Sequence, residues 1–230
     1  MHREIGRITN VDNFELASYY KNYIDTKVKF VTLLDTHYYQ PLFVAQHPPY
    51  VIYYWGNYHL LNSQNKIYVI NEVENEQTSS WITDNIDVLV QKAVLVTNDY
   101  PNSESKLVEL FREKGGKIIH IAKTGIDMFE KNNLNAEKEL ILSIYPNKAH
   151  AKRVYFKQSN YLASLIADKF ISFSMKENSK ALNLINCFLD VGKEVNCFPG
   201  IDINDSNNML IKNGAKLVTM ISDFIPTQGA

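Results

Sequence analysis

The sequence has 230 residues, of which 45% are hydrophobic and 21% charged, and its formal net charge is −1 at pH 7. These values are typical of one globular domain and exclude a fibrous repeat or a chain that is disordered throughout. No apolar run approaches the ~20 residues that span a bilayer, and the first residues, MHREIGRITNVDNFEL, lack the apolar centre of a signal peptide. We therefore expect a cytoplasmic protein without a membrane partner. Cys187 and Cys197 have no neighbouring His/Cys cluster, so we predict no metal ion and no disulfide.

Residues 1–60 differ in pattern from the rest of the chain. VDNFELASYYKNYIDTKV has helical spacing, and a possible strand, YVIYYW, lies between turn signals at Pro48-Pro49 and Gly56-Asn57. We predict that residues 1–60 form an N-terminal extension packed on a sheet. Residues 61–225 are predicted to form the main domain, and residues 226–230 a tail.

From residue 66 onward, short runs of β-branched and apolar residues alternate with segments of helical spacing. The predicted strands are KIYVI, AVLVT, KIIHIA, ELILSIY, FISFS, EVNCF and KLVTM. Strands of this length separated by helices of about ten residues indicate parallel βαβ units. The sequence therefore predicts an α/β fold with a mostly parallel sheet and helices on both faces. Ser103 and Ser179 are predicted helix caps, and glycines 115, 116 and 192 fall where helices should end.

The charges are unevenly distributed along the chain. Residues 61–110 are mainly acidic, whereas residues 146–180 are mainly basic. The stretch Lys148–Tyr161, KAHAKRVYFKQSNY, combines basic and aromatic side chains immediately before an apolar run that we predict to be a helix starting near Ser159. A loop at the carboxyl end of a strand, leading into a helix, is a common place for anion binding. A solvated lysine face is the alternative interpretation.

Several motifs occur in a fixed order in the second half of the chain. They are TGID at residues 124–127, LSIYP at residues 142–146, EVNCFPG at residues 194–200 and NNMLIKNGAKLVTMISDFI at residues 207–225. In this order and spacing, from about Lys29 to about Phe224, the sequence resembles the DprA/Smf DNA-processing family. The resemblance implies an extended Rossmann-like domain that binds single-stranded DNA, forms a homodimer and helps to load the recombinase RecA in natural transformation or recombination. It also implies that the protein is not an enzyme.

Two loops depart from the family pattern. Where the family has Gly-Ser-Arg after its first strand, this chain has Asn71-Glu72-Val73, and the next glycine- and arginine-containing loop is replaced by residues 97–104. Loss of glycine and arginine removes close backbone approach and two-pronged hydrogen bonding to an oxyanion. We therefore expect these two loops, which contain Glu72 and Glu104, to be structural.

The candidate DNA-binding residues lie in three other segments. The family's Phe-Pro-x-Arg-Asn-Arg segment corresponds to residues 156–161, its Lys-Ser-Gly-Ser/Thr loop to residues 178–181, and its Gly-x-Asn-x-Leu-Ile pattern to residues 206–211. The candidates are Lys148, Lys152, Arg153, Lys157, Asn160, Tyr161, Ser179, Lys180 and Asn208. For Asn160, Ser179 and Asn208, a role at the start of a helix is the alternative. For the aromatic residues, a place in the core is the alternative.

The sequence contains none of the common catalytic motifs. Pro199-Gly200 is not followed by the glycines of a phosphoribohydrolase loop, and the chain has no GxGxxG, GxxxxGK[ST], HExxH or GxSxG. The six histidines are scattered and are interpreted as surface or strand residues, and Asp127 as the anchor of a turn. We therefore predict neither a catalytic residue nor a cofactor. The alternative function is a protein-interaction module of the same family that no longer binds DNA.

Overall fold

The computed structural model describes residue 18 and residues 21–131 and 133–223. Within these residues the strands are β1 (Lys29–Thr32), β2 (Val51–Gly56), β3 (Lys66–Ile70), β4 (Val94–Thr97), β5 (Lys117–Ile121), β6 (Glu139–Ser143), β7 (Lys169–Ser172), β8 (Val195–Cys197) and β9 (Lys216–Leu217). Residues 21–25 are helical, and the helices that follow β1 are α1 (Gln40–Phe43), α2 (Glu76–Lys92), α3 (Ser105–Glu113), α4 (Arg153–Ile166), α5 (Leu182–Asp190) and α6 (Ser206–Lys212). The predicted tail, residues 226–230, lies outside the described residues.

The nine strands form one sheet in the order β1-β2-β6-β5-β4-β3-β7-β8-β9. All pairs in the part of this order that runs from β6 to β9 are parallel, whereas β2 is antiparallel to both of its neighbours, β1 and β6. The α/β fold with a mostly parallel, Rossmann-like sheet is therefore confirmed. Residues 29–56, which belong to the predicted extension, add two strands to this same sheet.

The central strands are buried on both faces because helices cover each side. Every residue of β3 and β4 is buried, as their uninterrupted apolar runs predict. Tyr68 and Ile70 of β3 belong to the core beneath α4 and α5, whereas Ile67 and Val69 belong to the core beneath α2 and α3. One strand thus contributes alternate side chains to two cores.

The helix ends agree only in part with the predicted signals. Gly115 and Gly192 have φ values of 74° and 73° after α3 and α5, which confirms both as helix-ending residues. The prediction for Ser103 is wrong: α3 has Glu104 at its N-cap position, without a side-chain capping bond. Side-chain caps are present at α2, where Asn75 and Thr78 exchange side-chain-to-backbone hydrogen bonds in a capping box, and at α6, where Asp205 accepts from the N–H of Asn207.

The start of α4 also differs from the prediction. The helix begins at Arg153, and not near Ser159. The sequence gives no signal for this start, because Lys152 at the N-cap position makes no side-chain capping bond. Most of the basic segment is therefore helical. No helix in the described ranges is both long and apolar enough to cross a membrane.

Candidate nucleic-acid interface

The carboxyl ends of β4, β3 and β7 lie at one edge of the sheet. The chain order reverses between β3 and β7, since β3 pairs with β4 on one side and with β7 on the other. Helices on opposite faces leave a crevice at such a reversal, and ligands of open α/β sheets bind there. The connections that follow these strands, together with the first turns of α4 and α5, form the candidate interface.

Glu104 fixes the connection after β4 from inside the protein. Its side chain is 2% exposed and accepts hydrogen bonds from Tyr68 Oη (2.6 Å), Thr97 Oγ1 (2.6 Å) and the N–H groups of residues 98 and 100 (3.0 and 3.2 Å). Burial raises the pKa of this carboxyl to about 7, although the hydrogen bonds from Thr97 and Tyr68 oppose the change. Glu104 therefore supports the loop and does not face a ligand.

Asn160 joins this loop to α4. It lies in the middle of the helix, is 8% exposed, and its Oδ1 accepts from Asn98 Nδ2 (3.0 Å) and Tyr100 Oη (2.7 Å). The structure thus gives Asn160 two protein partners inside the molecule, in place of the predicted position at a helix start. The result is a defined orientation for the ring of Tyr100.

A pair of aromatic rings lies above Asn160. Tyr100 and Phe156 are nearly parallel, with 8° between their planes and 6.3 Å between their centroids. The ammonium of Lys123 is 4.7 Å from the Tyr100 centroid and 5.7 Å from that of Phe156, and it donates to the carbonyl of Asn98. Burial lowers the pKa of Lys123, and this is opposed by Asp99 and Glu104. Phe156 keeps 43% of its surface exposed, so this ring is available to a ligand.

Basic side chains flank Phe156 on the same helix face. Arg153 and Lys157 lie three residues before and one residue after it, and all three side chains are exposed, as is Lys152. Positions i, i+3 and i+4 of a helix share one face. A basic and aromatic surface of this kind can contact both phosphates and unpaired bases.

Comparison with known proteins identifies the family. The sequence profile of the family described as DNA recombination-mediator protein A matches residues 29–228. The chain belongs to this family. No curated protein matches the sequence significantly. The family consists of recombination mediators, so the prediction that the protein is not an enzyme is confirmed.

Two solved structures of DNA processing protein A share the fold. The protein from Streptococcus pneumoniae is 22% identical, with a TM-score of 0.79 over 97% of this chain and 82% of that one. The protein from Helicobacter pylori, whose structure was described for its single-stranded DNA binding mode, is 20% identical, with a TM-score of 0.70 over 87% of this chain and 95% of that one. The predicted resemblance to the DprA/Smf family is confirmed.

The remaining candidate residues lie on the connections before α4 and α5 and within helices α4 and α6. Lys148 is exposed on the connection from β6 to α4, where its N–H donates to both carboxylate oxygens of Asp127. That contact confirms Asp127 as a turn anchor, although Asp127 lies in a 3₁₀ segment, Ile126–Met128, after the strand. Lys180 is exposed before α5, and Tyr161 is half-buried in α4.

Ser179 and Asn208 each make protein contacts in this family member. The hydroxyl of Ser179 accepts from the N–H of Ala181 (2.9 Å), just before α5, and donates to Glu72. Asn208 Oδ1 accepts from the N–H of Gly200 (3.2 Å), and its Nδ2 donates to the carbonyl of Asp202 (2.7 Å). Asn208 thus holds the Pro199-Gly200 turn, and α6 itself begins at Ser206.

Sequence reasoning missed Asn98, Tyr100 and Lys123 as parts of the interface. Each lies within three residues of the end of β4 or β5, and this position after a strand is the signal that could have identified them. It also missed a buried charge network behind this loop, in which His120 bridges Asp99 and Glu139. His120 is a strand residue, as predicted, but it is 1% exposed. Among the described residues, no group of three or more His, Cys, Asp or Glu side chains could hold a metal ion.

Proposed function

We propose that the protein binds single-stranded DNA on the surface formed by the first half of α4 and the connections after β4 and β5. The observation that carries this proposal is the exposed row Arg153, Phe156 and Lys157 beside Tyr100 and Lys123. Arginine and lysine neutralise backbone phosphates, and an aromatic ring stacks on a base of any identity. The surface therefore suits an unpaired strand without sequence preference.

The other aromatic rings near this surface are held by contacts within the protein. Tyr100 is fixed by Asn160, and Tyr155 is half-buried against Tyr145, with 3.7 Å between the ring centroids. Tyr145 Oη also donates to Gln158 (2.6 Å), which ties the first turns of α4 to the connection after β6. Phe156 is exposed, whereas these other rings are half-buried or buried, so it is the ring of this surface that is most accessible to a base.

The test is a titration of fluorescently labelled oligo-dT at two salt concentrations. We expect the affinity of the wild-type protein to fall as salt rises, with a slope of about 0.7 per neutralised phosphate. Phe156→Ala should weaken binding by about 1–3 kcal/mol, the value of one stacked base, and should leave the salt slope unchanged. Fluorescence anisotropy measures both quantities.

Val154→Ala is the matched control, because Val154 is an exposed apolar residue of the same helix turn. Equal affinities of the wild-type protein and Phe156→Ala would place the DNA elsewhere. An absence of binding even at low salt would favour the alternative of a protein-interaction module. That alternative is supported by Glu72 and Asp99, two carboxylates that lie on the connections after β3 and β4.

We further propose that the protein acts as a homodimer in recombination and assists RecA loading, as the family resemblance implies. Apolar side chains are exposed near the β9 edge of the sheet, namely Ile203, Met209, Leu217 and Met220. Exposed apolar residues beside an edge strand are typical of an interface. Leu210 of the same helix, α6, is buried in the core and does not belong to this surface.

The dimer proposal predicts that Leu217→Lys with Met209→Lys shifts the protein from dimer to monomer in sedimentation-velocity ultracentrifugation. Burial of two charged ammonium groups in an apolar interface costs several kcal/mol. The same substitutions at Leu34 and Val44, exposed residues near the opposite edge strand β1, are the control. A wild-type protein that sediments as a monomer would contradict the proposal.

A further inference from the structure

The carboxylate of Glu72 lies in the crevice where the chain order of the sheet reverses. Glu72 is the second residue after β3, and its N–H donates to the carbonyl of Ser174 (3.0 Å). One carboxylate oxygen accepts from the N–H of Lys176 (3.0 Å), and the other accepts from the hydroxyl of Ser179 (2.7 Å). The side chain thus connects the end of β3 to the connection between β7 and α5.

The groups that surround this carboxylate are of the kind that bind anions. A backbone N–H and a serine hydroxyl converge just before α5, a helix of nine residues whose N-terminus carries partial positive charge. The hydroxyl of Ser179 accepts from the N–H of Ala181 (2.9 Å), so its own hydrogen is directed to Glu72. Lys176 and Lys180 are exposed on the same connection. In this chain, the anion that these groups hold is a side chain of the protein itself.

We propose that Glu72 is a specificity-determining residue that occupies the anion position of the crevice and excludes the phosphate backbone from it. The part of this inference that concerns DNA binding rests on the proposed function. An unpaired strand is then confined to the face formed by α4, because a phosphate at the crevice would meet a carboxylate, and the N–H and the hydroxyl that converge there are already bound to that carboxylate. Removal of Glu72 frees both donors and removes one negative charge from the path of the strand.

The experiment compares Glu72→Ala and Glu72→Gln with the wild-type protein in the oligo-dT titration. A unit charge about 4 Å from a phosphate contributes about 1 kcal/mol in water, which corresponds to about fivefold in affinity. We expect Glu72→Ala to bind about five- to tenfold more tightly at low salt, with a salt slope steeper by about 0.7. Glu72→Gln should lie between Glu72→Ala and the wild-type protein, because glutamine loses the charge but still fills the position.

Glu74→Ala is the matched control. Glu74 is two residues further along, is exposed, and pairs with Lys106 (2.9 Å), so its truncation changes the net charge equally without opening the crevice. We expect its affinity to stay within about twofold of the wild-type value, because an exposed ion pair contributes little. An equal gain for Glu74→Ala and Glu72→Ala would overturn the inference, since net charge alone would then explain the effect.

A second probe separates this inference from the proposed function. Inorganic phosphate should slow amide hydrogen exchange in residues 174–181 of Glu72→Ala and leave the wild-type protein unchanged. If no variant binds DNA but Glu72→Ala shows this protection, the inference stands and the proposed function fails. If DNA binding is present and identical in the wild-type protein and Glu72→Ala, the proposed function stands and the inference fails. If circular dichroism shows that both Glu72 variants are unfolded, the carboxylate is a requirement of the fold, and the inference is overturned.

Discussion

Glu139→Ala is expected to lower the free energy of unfolding by about 3–5 kcal/mol, the cost of removing one partner from a buried ion pair. Glu139 is 1% exposed at the start of β6. It accepts from Arg112 Nε (3.1 Å) and Nη2 (2.9 Å) in a two-pronged pair, and His120 Nε2 lies 2.9 Å away. Without the carboxylate, the buried ring of His120 and the partly buried guanidinium of Arg112 would lose the anion that they share. Urea unfolding at pH 6 measures the difference.

The pH dependence of this cost follows from the pKa values of the same groups. Burial opposes the charge of His120, but hydrogen bonds to Asp99 and Glu139 outweigh it and raise the pKa to about 9. Burial likewise opposes the charge of Glu139, but hydrogen bonds from His120 and Arg112 lower its pKa to about 2. His120 therefore stabilises the fold fully below pH 6.5 and loses this contribution as the pH rises through about 9. Glu139 stabilises it above pH 4.5 and loses its contribution as the pH falls through about 2.

The cost of Glu139→Ala should accordingly be largest between about pH 4.5 and 6.5 and should decrease on both sides of this interval. The raised pKa of Glu104 also favours the fold at low pH, but it does so in both the wild-type protein and Glu139→Ala. The difference in unfolding free energy between these two proteins therefore reports on the network of Glu139, His120 and Arg112. Glu137→Ala is the matched control, because Glu137 is exposed two residues earlier. A cost below about 1 kcal/mol, or one that does not change with pH, would contradict the predicted role of the network.

This network is also a reason why the interface could not be read fully from the sequence. His120 and Glu139 lie on strands that alternate regularly with helices, and the sequence predicted those strands correctly. Their partners, Asp99 and Arg112, become neighbours only when β4, β5 and β6 pair in parallel. Nothing in the local pattern around His120 distinguishes it from a surface histidine.

The start of α4 shows a different limit of sequence reasoning. Ser159 has the chemistry of a capping residue, and the basic stretch before it has the composition of a loop. In the structure Ser159 is buried inside the helix, and its hydroxyl donates to the carbonyl of Phe156 (3.0 Å). The helix begins at Arg153 without a capping side chain, so tertiary packing of its apolar face stabilises it. Arg153 and Lys157 consequently project from a helix and not from a loop.

The carboxylates after β3 and β4 were predicted to be structural, and for Glu104 the structure gives the reason. Its position after the strand resembles that of a ligand-binding residue, yet its side chain turns inward to Tyr68 and Thr97. Sequence position alone gives the edge of the sheet on which a residue lies. It does not give the direction of the side chain, which depends on the hydrogen bonds available inside.

Reversal of charge at Arg153 and Lys157 should have the largest effect on DNA binding. Arg153→Glu with Lys157→Glu replaces two attractions to phosphate by two repulsions, each change being worth about 1–2 kcal/mol near the surface. The expected loss is about 2–4 kcal/mol, or roughly 30- to 700-fold in affinity for oligo-dT. The salt slope should decrease by about 1.4, corresponding to two phosphates on a single strand.

The fold should tolerate this double substitution, which makes a loss of binding interpretable. Arg153 is the first residue of α4, and glutamate near a helix N-terminus interacts favourably with the helix dipole. Lys117→Glu with Lys138→Glu is the matched control, because both lysines are exposed at the amino ends of β5 and β6, on the opposite edge of the sheet. This control changes the net charge by the same amount, so its binding should weaken by no more than about threefold through long-range repulsion, which salt screens. Equal losses for the two double variants would show that overall charge, and not the face of α4, determines binding.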